Sequence, residues 1–379
     1  MKNEYRVVVI GGGIIGCSVA YHLAKFGETD VAVFEKDFIS SGSTGRCAGG
    51  IRQQWSSPHN VILAMRSVSL FEKLSGETAT DIEYKQGGYL VLSYSEDEAR
   101  EFEKNVRMQR ELGLDVEILT PKQIKERYPY LNTEGVKLAT FCQKDGHANP
   151  HLANFAYARA ARKMGVHLFT HTKVVGIEFH RSSFIIHTNR GTVKTRFVVN
   201  AAGSYSRDVG KMVNIDLPTE SYRHQIMVTE AVRNFLDPMV ISFSGNFYIR
   251  QSKHGQFIMG QGDADEKPGI NYDVTFKFEK DMVQKMMNIF PPFGNLRIIR
   301  HWSGHYNMSP DAQPIIGQSS AVPGFYYAVG FSGHGFMLAP AVGEAIAQMM
   351  LHGKSIHVDI SELDIDRFKK GVLREKNVV

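Results

Sequence analysis

"YRVVVIGGGIIGCSVAYHLAKFG", residues 5–27, predicts the first structural unit of the chain. The apolar run over 5–10 is typical of a buried strand, and the glycines after it indicate a tight turn. The apolar spacing that follows predicts a helix from about Ile14 to Phe26, stopped by Gly27. A strand that passes through a short turn into a helix is the beginning of a parallel α/β fold.

The glycines in this stretch have the spacing GxGxxG. Gly11 permits the tight turn, Gly13 lets a pyrophosphate approach the backbone, and Gly16 lets the helix pack close to the strand. A second strand, "DVAVFEK", ends near Glu35, whose carboxylate can accept both ribose hydroxyls of an adenosine. Together these features predict an ADP-containing dinucleotide rather than a turn that binds nothing. This segment alone does not separate FAD from NAD.

Composition and charge restrict the class of protein. The 379 residues are 43% hydrophobic and 22% charged, which suits a globular protein of one large or two moderate domains. The net charge is +5 with scattered basic residues, which argues against nucleic-acid binding. The three cysteines are far apart and show no metal-ligand spacing, and no metal is expected. The first residues do not form a signal peptide and no run of 18 apolar residues occurs, so a cytoplasmic location is expected.

The loop after Glu35 is predicted to be functional. "KDFISSGSTGRCAGGIRQQW", residues 36–55, has neither helical nor strand periodicity. Ser43 and Thr44 could bind pyrophosphate oxygens, and the backbone of 46–51 could run along a flat ring system. The alternative is a mobile surface loop.

The rest of the chain predicts two kinds of structure. A helix capped by Asn149 and three strands lead into "VVNAAGSYS", where small residues let the backbone approach a ligand. The segment 216–316 alternates aromatic and polar residues, which favours a mainly antiparallel substrate sheet with a helix around 276–289. The segment 96–111 predicts an amphipathic surface helix.

A second glycine-rich turn, "VGFSGHGFMLAPAVGEAI", residues 329–346, precedes another helix. This turn, the first glycine turn, "GSTGRCAGGIRQQ" and "VVNAAG" together resemble the D-amino-acid-oxidase-like flavoproteins, in the sarcosine oxidase and glycine oxidase branch. "GIRQQW", "SPDAQPIIG" and "GFSGHGF" look most like the β subunits of heteromeric sarcosine oxidases and dye-linked L-proline dehydrogenases. The similarity extends over almost the whole chain.

The resemblance implies an α/β fold of the glutathione-reductase-like FAD type. It consists of a Rossmann-like FAD-binding domain and a mainly antiparallel substrate-binding domain. The FAD-binding domain is expected to be discontinuous, over 1–82, 145–215 and 321–379. The substrate-binding domain is expected over 83–144 and 216–320.

The resemblance also implies one FAD that touches both glycine turns, with the second turn against the isoalloxazine ring. The second helix, starting near Met337 or Leu338, would point its positive end at the flavin, and Pro340 in its first turn would cost no hydrogen bond. The expected cofactor-binding residues are Gly11, Gly13, Ile15, Gly16, Glu35, Lys36, Ser43, Thr44, Arg46, Cys47, Ala48, Gly50, Ile51, Val174, Ala201, Ala202, Gly203, Gly330, Gly333, His334, Gly335, Phe336 and Met337.

The residues expected at the reaction site are Arg52, Tyr248, His305, Tyr306 and Met337. Arg52 is the candidate carboxylate clamp, because a guanidinium binds a carboxylate through two hydrogen bonds. The alternative for Arg52 is a surface or structural arginine. For Tyr248, His224, His305 and Tyr306 the alternative is a packing or structural role. His334 is expected to fix the flavin loop rather than to remove a proton.

Three departures from the relatives qualify the resemblance. Gly304 lies near the position of the flavin-tethering cysteine of monomeric sarcosine oxidases, so FAD is expected to be non-covalent. Met337 and Ile258 replace two lysines of oxygen-using relatives, which predicts slow reaction with oxygen unless Lys253 or a partner supplies a cation. The histidine that holds FMN in heterotetrameric sarcosine oxidases is replaced near Pro150, with His151 beside it. An FMN at a subunit interface stays open.

The expected function is FAD-dependent oxidation of a small secondary amino acid, of the proline or sarcosine type, with electrons passed to a partner or carrier in a hetero-oligomer. Two alternatives stay open. One is an oxygen-using amino acid oxidase. The other is a non-catalytic FAD subunit that relays electrons for a partner.

Overall fold

The computed structural model describes residues 1–369, 371 and 374–378. The α-helices in this part of the chain are α1 (Ile14–Lys25), α2 (Pro58–Thr78), α3 (Glu96–Glu111), α4 (Pro121–Arg127), α5 (Pro150–Lys163), α6 (Ser206–Lys211), α7 (Phe276–Ile289) and α8 (Gly335–His352). The strands are β1 (Glu4–Ile10), β2 (Val31–Phe34), β3 (Gly50–Ile51), β4 (Tyr89–Ser93), β5 (Glu117–Leu119), β6 (Leu138–Cys142), β7 (Gly146–His147), β8 (His167–Phe169), β9 (Val174–His180), β10 (Ser183–Thr188), β11 (Gly191–Asn200), β12 (Glu220–Ala231), β13 (Met239–Ser242), β14 (Phe247–Gln251), β15 (Gln256–Gln261), β16 (Ile298–Met308), β17 (Ile315–Gln318) and β18 (Phe325–Val329).

The first sheet brings the predicted nucleotide-binding segments to one edge. Its strand order is β17-β18-β11-β1-β2-β8, and the β9–β10 hairpin joins it through β11. The pairs that β1 forms with β2 and β11 are parallel, and Ile10 lies opposite both Phe34 and Asn200. Because parallel strands end at the same edge, the residues that follow these strand ends lie side by side.

The helices on this sheet pack closely. Residues of α1, α2, α5 and α8 share one hydrophobic core with the sheet. A Cβ on Gly343 of α8 would collide with Ser18 of α1, so a glycine is needed where these two helices meet. The first and the last long helices of the chain are therefore direct neighbours.

The second sheet has the order β16-β12-β15-β14-β13-β4-β6-β5. Its strand pairs are antiparallel except for β4 with β13. Phe278, Met282 and Met286 of α7 pack with Met227 and Phe257 of this sheet. The predicted α/β fold with a mainly antiparallel second sheet is confirmed.

The predicted domain boundaries differ from the sheets at one point. β17 lies within the range 216–320 but pairs antiparallel with β18 of the first sheet. The division into an FAD-binding and a substrate-binding domain otherwise stays a prediction. In the described residues, no helix is both long and apolar enough to cross a membrane.

The start of α8 was predicted two or three residues too late. The helix begins at Gly335, because Leu338 N already donates to His334 O at 3.2 Å. Pro340 therefore lies inside the helix, where it has no N–H to give to the carbonyl of Phe336. The next amide, Ala341 N, donates to Ser67 Oγ of α2 at 3.1 Å. The hydroxyl of Ser67, on the neighbouring helix α2, is thus the acceptor for the backbone amide that follows the proline.

Candidate functional site

One large cavity of about 700 Å³ lies at the carboxyl edge of the first sheet. This volume is in the range of small-molecule and cofactor sites. Both glycine turns line it, together with the loop after Glu35 and residues of β12, β14 and β16. Segments that are more than 300 residues apart in the sequence therefore meet around one space.

The structure brings most of the predicted site residues together in this cavity. The predicted residues that line it are Gly11, Gly13, Ile15, Glu35, Lys36, Ser43, Thr44, Arg46, Cys47, Ala48, Gly50, Arg52, Val174, Ala201, Ala202, Gly203, Tyr248, His305, Tyr306, Gly333, His334, Gly335, Phe336 and Met337.

Three predicted cofactor-binding residues do not line the cavity. Gly16 packs α1 against the turn, where a Cβ would collide with the carbonyl oxygen of Gly11. Ile51 is fully buried in the core. Gly330 has a φ of 67° and lies against the side chains of Thr219 and Ile315. Glycine is required at position 16 for close packing and at position 330 for the positive φ of the turn.

Two helix N-termini are at the cavity. Gly13 is the N-cap residue of α1 and His334 is that of α8, and neither helix has a side-chain cap among the described residues. Thr44 Oγ1 accepts a hydrogen bond from Ile14 N at 3.0 Å. Helix N-termini carry partial positive charge, so this part of the cavity suits an anionic group.

Glu35 already has protein donors on both carboxylate oxygens. Its Oε2 accepts from Gly12 N at 2.7 Å, and its Oε1 accepts from Asp37 N at 2.9 Å and Ser41 Oγ at 3.3 Å. These bonds fix the carboxylate at the cavity wall. A carboxylate has about four lone-pair sites, so capacity is left for ribose hydroxyls.

Ser43 and Arg46 connect the loop to the second sheet. Ser43 Oγ donates to His305 O at 2.8 Å, and Arg46 Nη1 donates to Ser303 O at 3.0 Å. The Arg46 guanidinium also lies 4.3 Å from the ring centre of Tyr272. The loop is therefore held in place, and the alternative of a mobile surface loop does not describe it.

Arg52 is buried at the cavity wall with only 3% of its surface exposed. Its Nη1 donates to Gln54 O at 3.0 Å and its Nη2 to Asn377 O at 2.7 Å, while its Nε has no partner. The guanidinium lies 3.9 Å from the ring centre of Trp55. No described carboxylate forms a salt bridge with it, and the buried carboxylates of Glu375 and Asp145 act on its charge only at longer range. A buried positive charge therefore faces the cavity without a direct ion pair.

An aromatic group forms another part of the wall. The His224 ring stacks on Tyr306 with centres 4.1 Å apart, and His224 Nε2 lies 3.1 Å from Tyr248 Oη. Burial lowers the pKa of His224 to about 3 and raises the pKa values of both tyrosines. All three side chains are therefore neutral near pH 7.

The other two histidines of the site differ in their partners. His305 Nε2 accepts from Asn271 N at 2.9 Å, and burial lowers its pKa. His334 has no hydrogen-bond partner on either ring nitrogen, and its ring centre lies 4.2 Å from that of Trp55. Burial, with a smaller effect of Arg52, holds the pKa of His334 well below its usual value. His334 is thus a buried polar ring that a bound group could satisfy.

The sequence analysis missed the charged residues Asp37, Lys173 and Asp208 of the cavity lining and three buried charged residues near the site. Asp145 accepts from Gln53 and Gln54, Arg250 donates to Ala48 O, and Glu375 accepts from Ser56 and Ser57. Arg250 gave a readable signal, since it occurs in the buried apolar strand "FYIRQ". Asp145 and Glu375 depend on contacts that are distant in sequence, and no local pattern marks them.

These features fit a flavin dinucleotide. Two helix N-termini and the backbone of Gly13 suit a pyrophosphate, and Glu35 suits a ribose. His334 and Arg52 Nε are buried polar groups that lack partners. The model of the family "DAO: FAD dependent oxidoreductase" matches residues 6–349. The chain belongs to this family. It is an FAD-dependent oxidoreductase, as the resemblance predicted.

Other DAO-family proteins resemble the chain over nearly its full length. The crystal structure of L-proline dehydrogenase from P. horikoshii has a TM-score of 0.94 and 38% identity, and the match covers 99% of this chain and 100% of that one. Sarcosine oxidase subunit beta from Rhizobium meliloti is 30% identical over 98% of this chain and 90% of its own length. Mitochondrial dimethylglycine dehydrogenase of Rattus norvegicus is 30% identical over 97% of this chain, which spans 45% of that protein.

Gly304, which stands near the expected tether position, lines the cavity. Cys47 lines the cavity, and burial raises the pKa of its thiol to about 11, which disfavours the reactive thiolate. Met337 lines the cavity, whereas Ile258 does not, being partly buried and packed against the hydrophobic cluster that contains Tyr248. Lys253 is exposed and pairs with Asp81 at 3.2 Å, away from the cavity.

Proposed function

We propose that this DAO-family chain oxidises a small secondary amino acid, of the proline or sarcosine type, and passes the electrons to a partner or carrier. The observation that carries the proposal is Arg52, a buried guanidinium that faces the cavity and forms no salt bridge with a described carboxylate. A substrate carboxylate would supply a direct ion pair and a partner for Nε. The size of the cavity and its aromatic wall suit a small, partly apolar substrate.

FAD, when bound, supplies the two-electron acceptor. The reaction removes a hydride from the carbon next to nitrogen and a proton from the nitrogen, which leaves an imine. Arg52 would hold the carboxylate, while His224, Tyr248 and Tyr306 would exclude water from the reacting carbon. His224, Tyr248 and Tyr306 are neutral, and His305 Nε2 already accepts from Asn271 N. None of these four side chains is therefore a strong base near pH 7. The substrate would therefore react as the free amine and lose its proton to solvent.

The relatives support the substrate class and the partners. One is named an L-proline dehydrogenase and another a sarcosine oxidase β subunit, which is one subunit of a larger enzyme. We propose on this basis that the chain works in a hetero-oligomer, with the domain division expected from the sequence. An FMN at a subunit interface stays a prediction, and its test is chromatography of the flavins extracted from the assembled protein.

The experiment is anaerobic mixing of the purified flavoprotein with a panel of amino acids, proline and sarcosine first. Loss of the oxidised flavin absorbance with proline or sarcosine, and not with their N-acetyl derivatives, is the expected result. If no amine on the panel reduces the flavin while dithionite does, the chain is an electron-relay subunit and the proposal is wrong.

A further inference from the structure

The segment Glu375–Val378 docks beside Arg52 through a buried carboxylate. Glu375 is 1% exposed, and its carboxylate accepts from the backbone N of Ser56 at 2.9 Å and of Ser57 at 3.1 Å. It also accepts from both serine hydroxyls and from Asn60 Nδ2 at 3.2 Å. These donors surround the N-terminus of α2, where the N-cap Ser57 makes no side-chain cap. The negative charge is therefore stabilised by the helix and by several donors.

From this anchor the segment reaches the cavity. Asn377 N donates to Glu375 Oε1 at 3.1 Å, and Asn377 Nδ2 donates to Gln54 O at 3.3 Å. The carbonyl of Asn377 accepts from Arg52 Nη2 at 2.7 Å. Val378, the next residue, lines the cavity.

We propose that the 375–378 segment positions Arg52 and forms the wall of the substrate pocket beside it. In this arrangement Glu375 is a positioning residue and Val378 determines which substrates fit. The inference rests on the proposed function, because it assumes that Arg52 binds a substrate carboxylate. The carbonyls of Gln54 and Asn377 hold two edges of the guanidinium, which leaves Nε directed at neither of them. Without the Asn377 carbonyl, the guanidinium has one fixed edge and is free to rotate.

The probe is pyrrole-2-carboxylate, titrated into the FAD-loaded protein and followed by the change in flavin absorbance. Glu375→Ala is expected to raise the Kd for pyrrole-2-carboxylate and the KM for proline by about tenfold, with kcat changed much less. The matched control is Lys137→Ala, which lies outside the 375–378 segment. This side chain is exposed and pairs with Glu96 at 3.2 Å, so its loss should leave both values unchanged.

Val378→Ala is the second variant, and it keeps the test valid if Glu375→Ala loses FAD or unfolds. Val378→Ala is expected to favour the larger ligand, so that the Kd for indole-2-carboxylate falls about tenfold relative to the Kd for pyrrole-2-carboxylate. FAD content and Tm should stay those of the wild type. If the wild type binds the probe and both variants keep its binding constants and KM, this inference is wrong and the proposed function is unaffected. Failure of the wild type to bind any carboxylate overturns the proposed function with it.

Discussion

A buried guanidinium without a direct salt bridge is the residue-scale feature that the rest of the site is built around. Burying an unpaired charge costs several kcal/mol, so such groups persist where a ligand supplies the opposite charge. Arg52 was predicted from the residue type and from the resemblance. Its two backbone acceptors and its contact with Trp55 could not be predicted, because Asn377 is 325 residues away in the sequence.

Arg52→Ala is expected to lower kcat/KM for the amino acid strongly and to leave FAD bound. Loss of one partner of a desolvated charge pair costs about 2–5 kcal/mol. The measurements are steady-state kinetics and the ratio of flavin to protein. Arg207→Ala is the control, since Arg207 is exposed and pairs only with exposed Asp216. An unchanged kcat/KM in Arg52→Ala would place the substrate carboxylate elsewhere.

The pH dependence of kcat/KM tests the absence of a strong base in the wall. Burial holds the pKa of His224 near 3, so its ring does not titrate between pH 6 and 10. We expect kcat/KM to rise with pH toward the amine pKa of each substrate and to follow that pKa when the substrate is changed. His224→Gln should retain the same apparent pKa at a lower rate. An inflection that stays fixed across substrates and vanishes in His224→Gln would identify His224 as a base.

At the scale of elements, the sequence predicted what depends on local pattern. The bounds of α3 and α7 and the Asn149 cap of α5 came from apolar spacing and cap residues, and they agree with the structure. The predicted start of α8 does not agree with the structure, because the first turn of this helix is built on the backbone of the preceding glycine-rich turn. The loop over 36–55 had no pattern, and its position depends on partners such as Asp145 that only the fold brings near.

Asp145 predicts how stability depends on pH. It is fully buried, and burial raises the pKa of its carboxyl from 3.8 to about 6. The folded state therefore holds this proton more tightly, so the stabilisation is present below pH 3.8 and is lost as the pH rises through 6. Asp145→Asn does not titrate. We expect the free energy of unfolding of the wild type to fall by about 1–3 kcal/mol relative to the variant between pH 4 and 7.

Urea unfolding of both proteins at several pH values provides that comparison. The variant also loses the bond from Gln54 Nε2, because two amide groups then face each other. That loss shifts the whole curve and does not depend on pH. A difference between the two proteins that stays constant across this range would contradict the raised pKa.

At the scale of the whole molecule, the cavity joins two sheets around one cofactor. FAD is expected to be bound without a covalent bond, because Gly304 stands near the usual tether and the thiol of Cys47 is protonated at neutral pH. Acid precipitation should release all of the yellow colour into the supernatant. Flavin that stays with the pellet in the wild type and leaves it in Cys47→Ser would instead show a thioether at Cys47.

Electron exit is the second prediction at this scale. Met337 lines the cavity at the position where the family resemblance implies a lysine in oxygen-using relatives. Its uncharged side chain would not stabilise the charge of a developing superoxide. We expect the substrate-reduced protein to react faster with an artificial dye than with oxygen in stopped-flow mixing. Met337→Lys should raise the oxygen rate about tenfold or more, whereas the uncharged Met337→Gln should not. A wild-type oxygen rate equal to the dye rate would make the protein an oxidase.

The contact between α1 and α8 has a consequence for how the protein is made. Gly343 meets Ser18 only after more than 300 further residues have been added to the chain, and β18 must pair with β11 beside β1. Contacts of such long sequence separation form late in folding. A nascent chain that ends before α8 would thus have one glycine turn and no second helix end, so the flavin would enter only after residues 335–352 have been synthesised. Folding intermediates without flavin would then be the species that chaperones meet.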